Sequence, residues 1–300
     1  MFNLFAAGRN ILRVERTRLR RRRIEQDRRD RIARHKQAVA ARKAEFAARP
    51  DTTRSLILFA DGDSWFDYPL PILAANDVIT SIGNHGTPQP LILNLAHFGD
   101  EARNLLGVQQ RERIITNLKD AENGAFDAIL FSAGGNDTVG NPFCLWIKNF
   151  APGMTPSEGI NQPRLDAVLD VVRSAHEDLI SVRNQFAPHA LLFFHAYDFA
   201  IPNGEGVFDD LIGPWLKPSL DFRDWRQLPA AAEVVRQFLL GFREMLVKIA
   251  ASHDGVVFVE TQGTLAPDDW ANELHPTPTG FDKIGAKFLD ALRKTFPGRI

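Results

Sequence analysis

The sequence predicts a mixed α/β fold in which a parallel sheet lies between layers of helices. Short apolar runs recur along the chain after residue 50, and segments with helical periodicity separate them. Strands that alternate with helices are typical of a parallel sheet joined by right-handed crossovers. The 300 residues are 44% hydrophobic and 24% charged, an ordinary composition for a globular chain with a large buried core.

Five apolar runs are predicted to form the strands of this sheet. Each is short, apolar throughout and rich in branched or aromatic residues, as expected for strands that are buried on both faces. The runs span residues 56–60, 91–96, 128–131, 191–194 and 256–259. Between them, apolar residues recur three and four positions apart from Leu165 to Leu179 and from Val235 to Ile249, which predicts two amphipathic helices.

The first 50 residues form a distinct basic segment. They hold 16 lysines and arginines against 5 acidic residues, a balance of +11, so the other 250 residues carry −12. Ile32, Val39 and Phe46 recur at sevenfold spacing, which predicts a helix or a short coiled coil over residues 9–48. Three interpretations stay open: an arm that contacts an anionic membrane or nucleic acid, an oligomerisation helix, and a solvated charged helix or frayed tail.

Cysteine usage and hydropathy bear on the compartment. Cys144 is the only cysteine, so no disulfide can form within the chain, which fits a reducing compartment. No run reaches the roughly 18 apolar residues that suggest a membrane span. The apolar start is followed rather than preceded by basic residues, the wrong order for a secretory signal. We therefore expect a cytoplasmic protein.

Polar residues follow the predicted strands, at the edge of the sheet where functional loops gather. Ser64 follows the first strand, Gly99 the second and Asn136 the third, and His275 lies in a loop beyond the fifth. Acyl transfer needs a nucleophilic hydroxyl, a base to take its proton, and donors for the oxyanion. Ser64 and His275 would supply the nucleophile and the base. The backbone N–H groups of Ser64 and Gly99 and the Asn136 amide would supply the oxyanion hole.

The motifs around these residues resemble, in order, those of the SGNH/GDSL hydrolase superfamily. They are Gly62-Asp63-Ser64, a glycine after the second strand, Gly134-Gly135-Asn136-Asp137, and a late histidine before Pro276. The letters S, G, N and H match Ser64, Gly99, Asn136 and His275. The resemblance implies a flavodoxin-like three-layer α/β/α sandwich that hydrolyses carboxylic esters without a metal or other cofactor.

The resemblance covers residues 54–297 and leaves the basic segment outside. We therefore divide the chain into a basic, helical N-terminal arm (residues 1–53) and an SGNH hydrolase domain (residues 54–300). On this division the parallel-sheet sandwich is preceded by a basic helix that the family pattern does not include.

One position departs from the family pattern. Members usually carry aspartate three residues before the histidine, where this chain has Asn272. Asparagine can accept a hydrogen bond from the imidazole N–H, but it adds no negative charge. We assign Asn272 as the third catalytic residue. Asp269 or Glu273 could instead supply the carboxylate, and a serine–histidine dyad is a further alternative.

Several other polar residues have structural interpretations. Asp63 is expected to hydrogen-bond its own turn, and Asp137 to tie the third-strand loop to the first. His195, at the end of the fourth strand, is expected to be buried and hydrogen-bonded rather than catalytic. Segments 140–162 and 199–228 hold aromatic residues among Gly and Pro, so they are predicted to line the substrate pocket or to pack as a small satellite core.

The sequence thus predicts a serine esterase that acts on a small-molecule or sugar ester, O-acetyl groups included, through an acyl-enzyme on Ser64. An acyltransferase on the same fold is the first alternative, because only the acceptor differs. A binding or membrane-tethered module with secondary catalysis is the second. The four intact motif residues argue against such a module.

Overall fold

The computed structural model describes residues 2–49, 53–69, 77–207 and 212–300; in the first helix it describes side chains from residue 18 onward, except residue 20. The strands are β1 (Ile57–Gly62), β2 (Leu91–Asn94), β3 (Ala128–Ser132), β4 (Leu191–His195) and β5 (Val256–Val259). The helices are α1 (Phe2–Ala48), α2 (Val78–His85), α3 (Ala102–Leu105), α4 (Val108–Lys119), α5 (Gly135–Thr138), α6 (Phe143–Trp146), α7 (Gln162–Phe186), α8 (Lys217–Phe222), α9 (Leu228–Ser252) and α10 (Pro278–Thr295). Two short 3₁₀ helices span Ala121–Asn123 and Pro267–Asp269.

The five strands form one parallel sheet in the order β2-β1-β3-β4-β5. This is the flavodoxin-like order, so the predicted fold class is confirmed. Every strand overlaps a predicted apolar run, and β1 and β3 are buried along their whole length. From β1 the chain moves to one edge of the sheet to form β2, and it then crosses back to form β3 on the other side of β1. Strands β1 and β3 pair from Leu58 and Ala128 onward. Loops after these two strands therefore emerge side by side at a topological switch point.

Two helical layers cover the sheet. The step from β1 to β2 runs opposite to the later steps, so right-handed crossovers place α2 on one face and the helices before β3, β4 and β5 on the other. The contacts agree, because α2 packs on α10, whereas α7 packs on α3, α4 and α9. The apolar sides of α7 and α9 are buried, as their predicted periodicity requires.

Helix α1 is longer than the sequence predicts. It ends at residue 48 as expected but begins at Phe2, seven residues before the predicted start. In the sevenfold pattern, Ile32 packs on the hydrophobic core and Val39 is only 1% exposed, whereas Phe46 is 42% exposed. No helix in the described part of the chain is both long enough and apolar enough to cross a membrane.

The middle of α1 is fixed to the sandwich by His35 as well. The His35 ring stacks on Phe126 with centroids 5.8 Å apart, and its Nε2 lies 3.0 Å from the carbonyl oxygen of Asn123. Lys36 adds ion pairs with Asp120 and Glu122. This part of the helix therefore packs against the domain, while the division of the chain after residue 53 stays a prediction.

Candidate active site

Ser64 lies in a tight turn directly after β1. The last residue of that strand, Gly62, has φ +153°, and a β-carbon there would clash with the Ser132 carbonyl oxygen on β3. Glycine therefore permits the close approach of the two strands just before the nucleophile. The N–H of Asp63 donates to the same carbonyl at 3.0 Å, so the turn is anchored to β3.

Ser64, His275 and Asn272 form one hydrogen-bonded chain, although Ser64 and His275 are 211 residues apart in sequence. Ser64 Oγ lies 2.8 Å from His275 Nε2, and His275 Nδ1 lies 3.0 Å from Asn272 Oδ1. All three residues are buried. The structure thus brings the predicted nucleophile, base and third residue together.

The protonation of the imidazole follows from the partners of Asn272. Its Oδ1 also accepts the backbone N–H groups of Leu274 and His275, at 3.1 and 3.0 Å, which fixes this atom as the oxygen of the amide. An amide oxygen can only accept, so His275 Nδ1 carries the proton. His275 Nε2 is then free to accept the proton of the Ser64 hydroxyl.

The two carboxylates considered as alternatives are engaged elsewhere. Asp269 pairs with Lys283 Nζ, at 2.8 and 2.7 Å. Glu273 is fully buried and accepts four backbone N–H groups. Their donors are Gly204 (3.1 Å), Trp215 (2.5 Å), Leu216 (2.7 Å) and Lys217 (2.9 Å). Glu273 therefore holds residue 204 and residues 215–217. Among the described contacts, Asn272 is the one of the three candidates whose side chain bonds the His275 ring.

Aromatic rings enclose the base. The rings of Tyr68 and Trp215 pack against the imidazole of His275, with centroids 4.8 and 5.6 Å away. Burial lowers the pKa of His275 from 6.5 to about 3, because it disfavours the charged imidazolium. The ring is therefore neutral at pH 7, as a general base must be.

Asn136 and Gly99 are both connected to Asp100, the first by a hydrogen bond and the second along the chain. Asn136, on α5 after β3, donates from Nδ2 to the Asp100 carbonyl oxygen at 2.9 Å, which leaves the second N–H of that amide for another acceptor. Gly99 precedes Asp100 in the loop after β2 and has φ +82°. Asn136 also lines the same cavity as Ser64 and His275. The candidate oxyanion donor thus lies on the same cavity as the nucleophile.

Asp63 is buried behind the nucleophile turn. It accepts the Trp65 N–H and the Ser132 hydroxyl, each at 3.0 Å, and the hydroxyl of Tyr197. Burial raises the pKa of Asp63 to about 6. The bond to Trp65 is the turn contact that the sequence predicts. The other two tie the turn to the ends of β3 and β4.

The expectation for Asp137 is wrong. Its carboxylate accepts the backbone N–H groups of Ala102 (2.6 Å) and Arg103 (3.3 Å), at the start of α3. The first N–H groups of a helix have no partner within the helix, and a nearby carboxylate can satisfy them. Asp137 therefore ties the third-strand loop to the second-strand loop and not to the first.

His195 is buried and hydrogen-bonded, as the sequence predicts. Its Nε2 lies 2.9 Å from Ser132 Oγ, its Nδ1 lies 3.1 Å from the Ala196 carbonyl oxygen, and its ring stacks on Phe66. Burial lowers the pKa of His195 to about 3. From the end of β4, His195 thus packs beneath the nucleophile turn through Ser132 and Phe66.

An apolar cavity opens beside Ser64. Its volume is about 50 Å³. The apolar side chains that line it include Val139, Phe143, Leu216, Phe238, Leu239 and Phe242. Because hydrocarbon side chains dominate the wall next to the Ser64 hydroxyl, the cavity can receive an apolar group attached to the carbon that Ser64 would attack.

The two predicted pocket segments contribute to this cavity and also pack on each other. Segment 140–162 provides Phe143, and segment 199–228 provides Leu216. Elsewhere the Phe150 and Trp225 rings pack with centroids 5.0 Å apart, so the satellite-core interpretation applies to part of both segments. Phe208, one of the aromatics in the second segment, lies outside the described residues.

Two site residues were missed by sequence reasoning. The hydroxyl of Tyr68 accepts from Asn272 Nδ2 at 3.3 Å, and the hydroxyl of Tyr197 bonds Asp63. They are the only tyrosines in the chain. A buried tyrosine hydroxyl needs a hydrogen-bond partner. A tyrosine that follows a predicted strand could therefore have been predicted to bond a polar residue of the site.

The comparisons with known proteins agree with this architecture. No family model and no curated protein matches the chain. Among solved structures, the lipase Lip_vut3 from a goat rumen metagenome is 12% identical with a TM-score of 0.51, and the match covers 79% of this chain and 97% of that one. A protein from Chitinophaga pinensis named as a possible lipase is 13% identical with a TM-score of 0.50, covering 80% and 99%.

A third structure is a Parabacteroides merdae protein provisionally named as a GDSL-like lipase. It is 14% identical with a TM-score of 0.45, and the match covers 80% of this chain and 97% of that one. At TM-scores of 0.51 and 0.50, the first two structures show that this chain shares its fold with solved lipase structures.

Proposed function

We propose that this protein is a serine ester hydrolase that works through an acyl-enzyme on Ser64. The observation that carries the proposal is the buried chain from Ser64 Oγ to His275 Nε2 and from His275 Nδ1 to Asn272 Oδ1, with contacts of 2.8 and 3.0 Å. A nucleophile, a base and a residue that orients the base are the arrangement that activates a serine. The fold shared with lipases supports the same class of reaction.

In the proposed acylation step, one proton moves from Ser64 to His275 and then from His275 to the leaving alcohol. Ser64 Oγ attacks the ester carbonyl carbon while His275 Nε2 takes the hydroxyl proton. The carbonyl oxygen becomes an oxyanion that accepts from the second N–H of Asn136 and from the backbone N–H groups of Ser64 and Gly99. When the carbon–oxygen bond to the alcohol breaks, the leaving oxygen takes the proton from His275.

Deacylation repeats these steps with water. A water molecule gives a proton to His275 and attacks the acyl carbon. The bond to Ser64 breaks, the proton returns to Ser64 Oγ, and the carboxylic acid leaves. Asn272 keeps the imidazole in the required tautomer during both halves, because its oxygen holds the proton on Nδ1.

The substrate side of the proposal rests on the cavity beside Ser64. Apolar side chains such as Val139, Phe143 and Phe238 surround the space next to the nucleophile. We expect the acyl group to enter there, and the small volume of about 50 Å³ limits its length. Esters with short or medium acyl chains are the proposed substrates.

A chain-length series tests this function. p-Nitrophenyl esters with acyl chains from acetate to laurate are incubated with the wild-type protein, and release of p-nitrophenol is followed. Mass spectrometry of acid-quenched protein should show the acyl group on the peptide that contains Ser64. No hydrolysis of any ester in the series, together with no adduct at Ser64, would overturn the proposal.

An exposed histidine base would make kcat/KM fall as the pH is lowered through about 6.5. We expect no such fall for this protein. A base that must be neutral loses activity as the pH falls through its pKa, which for His275 is about 3. We expect kcat/KM to stay level from about pH 8 to about pH 5, with circular dichroism at each pH to show that the protein is folded. A midpoint near 6.5 in the folded protein would contradict this environment for His275 if it persists in Asp63→Asn, because Asp63 has a pKa of about 6.

Asn136→Ala should lower kcat by about 10²–10³-fold and leave KM nearly unchanged, because an oxyanion donor bonds the transition state more strongly than the substrate. The measurement is a Michaelis curve with the best ester of the series. Asn149→Ala is the matched control, since Asn149 is exposed and its side chain accepts only from Arg223 among the described contacts. An unchanged kcat for Asn136→Ala would leave this residue with only the structural bond to Asp100.

A further inference from the structure

Arg28 of the basic helix α1 is buried against the loop that follows β2. Its side chain is only 7% exposed. Nε donates to the Leu95 carbonyl oxygen at 3.1 Å, and Nη2 donates to the Asp100 carboxylate at 2.9 Å. One guanidinium thus holds both ends of segment 95–100, which contains Gly99. The planar, rigid guanidinium group is suited to binding two acceptors at once.

Arg31, one turn further along α1, makes a similar contact with the nucleophile loop. Its Nη2 donates to Asp67 Oδ1 at 2.9 Å. The N–H of Asp67 in turn donates to the Asp63 carbonyl oxygen at 3.1 Å, across the turn that holds Ser64. Helix α1 therefore contacts the loops after both β1 and β2.

The contacts of Asp100 connect Arg28 with the candidate oxyanion donor. The side chain of Asp100 is held by Arg28, and its backbone carbonyl accepts Asn136 Nδ2 at 2.9 Å. A shift of Asp100 would therefore move the bond that orients the Asn136 amide. It would also move Gly99, which is bonded to Asp100 along the chain.

The helix can act as a support because it is itself fixed. The burial of Val39 and the stacking of His35 on Phe126 hold its next turns against the sandwich. Arg28 consequently projects from a rigid element, and a positioning group on a rigid element keeps its partners closer to one geometry than a loop does.

We propose that Arg28 is a positioning residue for the oxyanion hole, which it holds in register through Asp100. This inference rests on the proposed esterase function. It assigns the basic helix a part in the reaction, although the helix lies outside the region that carries the family resemblance. Misplacement of an oxyanion donor should affect the transition state more than the bound ester.

A double-mutant cycle tests the proposal. Arg28→Ala should lower kcat by about 10–10²-fold with KM within about twofold, a smaller loss than removal of the donor itself. Added to Asn136→Ala, it should lower kcat by a smaller factor than it does alone, because part of its effect passes through the Asn136 amide and the rest through Gly99. Arg28→Lys, which keeps the charge, should recover part of the loss. Arg29→Ala is the matched control, since Arg29 is exposed on the same helix and its side chain bonds only Gln26 among the described contacts.

The outcomes separate this proposal from the proposed function. An active wild type in which Arg28→Ala is folded and keeps its kcat, or in which the Arg28 and Asn136 losses multiply, would overturn the positioning role alone. A wild type that hydrolyses no ester would overturn the esterase function and this role with it. If Arg28→Ala does not fold, Asp100→Asn enters the same cycle, because it removes the ion pair but keeps the carbonyl that Asn136 bonds. A kcat loss that is smaller in the Asn136→Ala background than in the wild type supports the proposal. An unchanged kcat, or losses that multiply, would overturn it.

Discussion

Ser64→Ala and His275→Ala should each lower kcat for ester hydrolysis by about 10⁴–10⁶-fold, and the double variant should be no slower than either single one. Ser64 supplies the only oxygen in contact with His275 Nε2 among the described hydrogen bonds. Without the serine no acyl-enzyme can form, and without the histidine the hydroxyl keeps its proton. Because both side chains are needed for the same step, the free-energy costs of removing them do not add in the double variant. The measurement is kcat on the best ester of the series.

Matched controls separate this effect from a general disturbance. Ser174→Ala and His253→Ala change the same residue types on α7 and just after α9, where their side chains bond only nearby helix carbonyl groups in the described structure. Both should retain wild-type kcat. Substantial turnover by folded Ser64→Ala, with the adduct found on another residue, would show that the nucleophile is assigned wrongly.

Asn272→Ala should lower kcat by about 10²–10⁴-fold, whereas Asn272→Asp should keep or raise it. Alanine removes the oxygen that holds the proton on His275 Nδ1, so the ring can rotate or adopt the wrong tautomer. Aspartate keeps an oxygen at the same place and adds a negative charge that stabilises the imidazolium formed in the transition state. The Tyr68 hydroxyl, which now accepts from Asn272, can donate to the second carboxylate oxygen.

The pH profile offers a second measurement on the same variant. A carboxylate beside the ring favours the charged imidazole, so Asn272→Asp should raise the pKa of His275 and move the acid limb of kcat/KM to higher pH. Asp269→Ala is the control with wild-type kcat, because its carboxylate pairs with Lys283. A crippled Asp269→Ala together with an active Asn272→Ala would reverse the assignment, and near-wild-type rates in both would indicate a serine–histidine dyad.

Loss of the Glu273 carboxylate should act on the fold rather than on the imidazole. The backbone N–H groups of residues 204, 215, 216 and 217 would lose their acceptor in a buried place, and unpaired buried donors are costly. The contrast with Asn272 shows how neighbours in sequence differ in the structure. One points its oxygen at the base, and the other holds the loop that carries Trp215.

The sheet could be predicted because its signal is local. Each strand is an apolar run long enough to cross a core that is covered on both faces, and such runs stand out from the helices between them. The approximate positions of Ser64, Gly99 and Asn136 follow, since the loops of a parallel sheet meet at the carboxyl ends of the strands. The start of α1 could not be placed as well, because a charged helix has no apolar stripe to mark its first turn.

The sequence by itself thus determined the fold class, the order of the motif residues and the pairing of Ser64 with His275. The tertiary structure decided which neighbour orients His275, where Asp137 bonds, and what α1 contacts. These depend on which loops meet in space, and side-chain hydrogen bonds form over only about 3 Å. Arg28 and Arg29 are alike in sequence, yet one is buried on Asp100 and the other is exposed, because successive residues of a helix point in different directions and only the packed face finds partners.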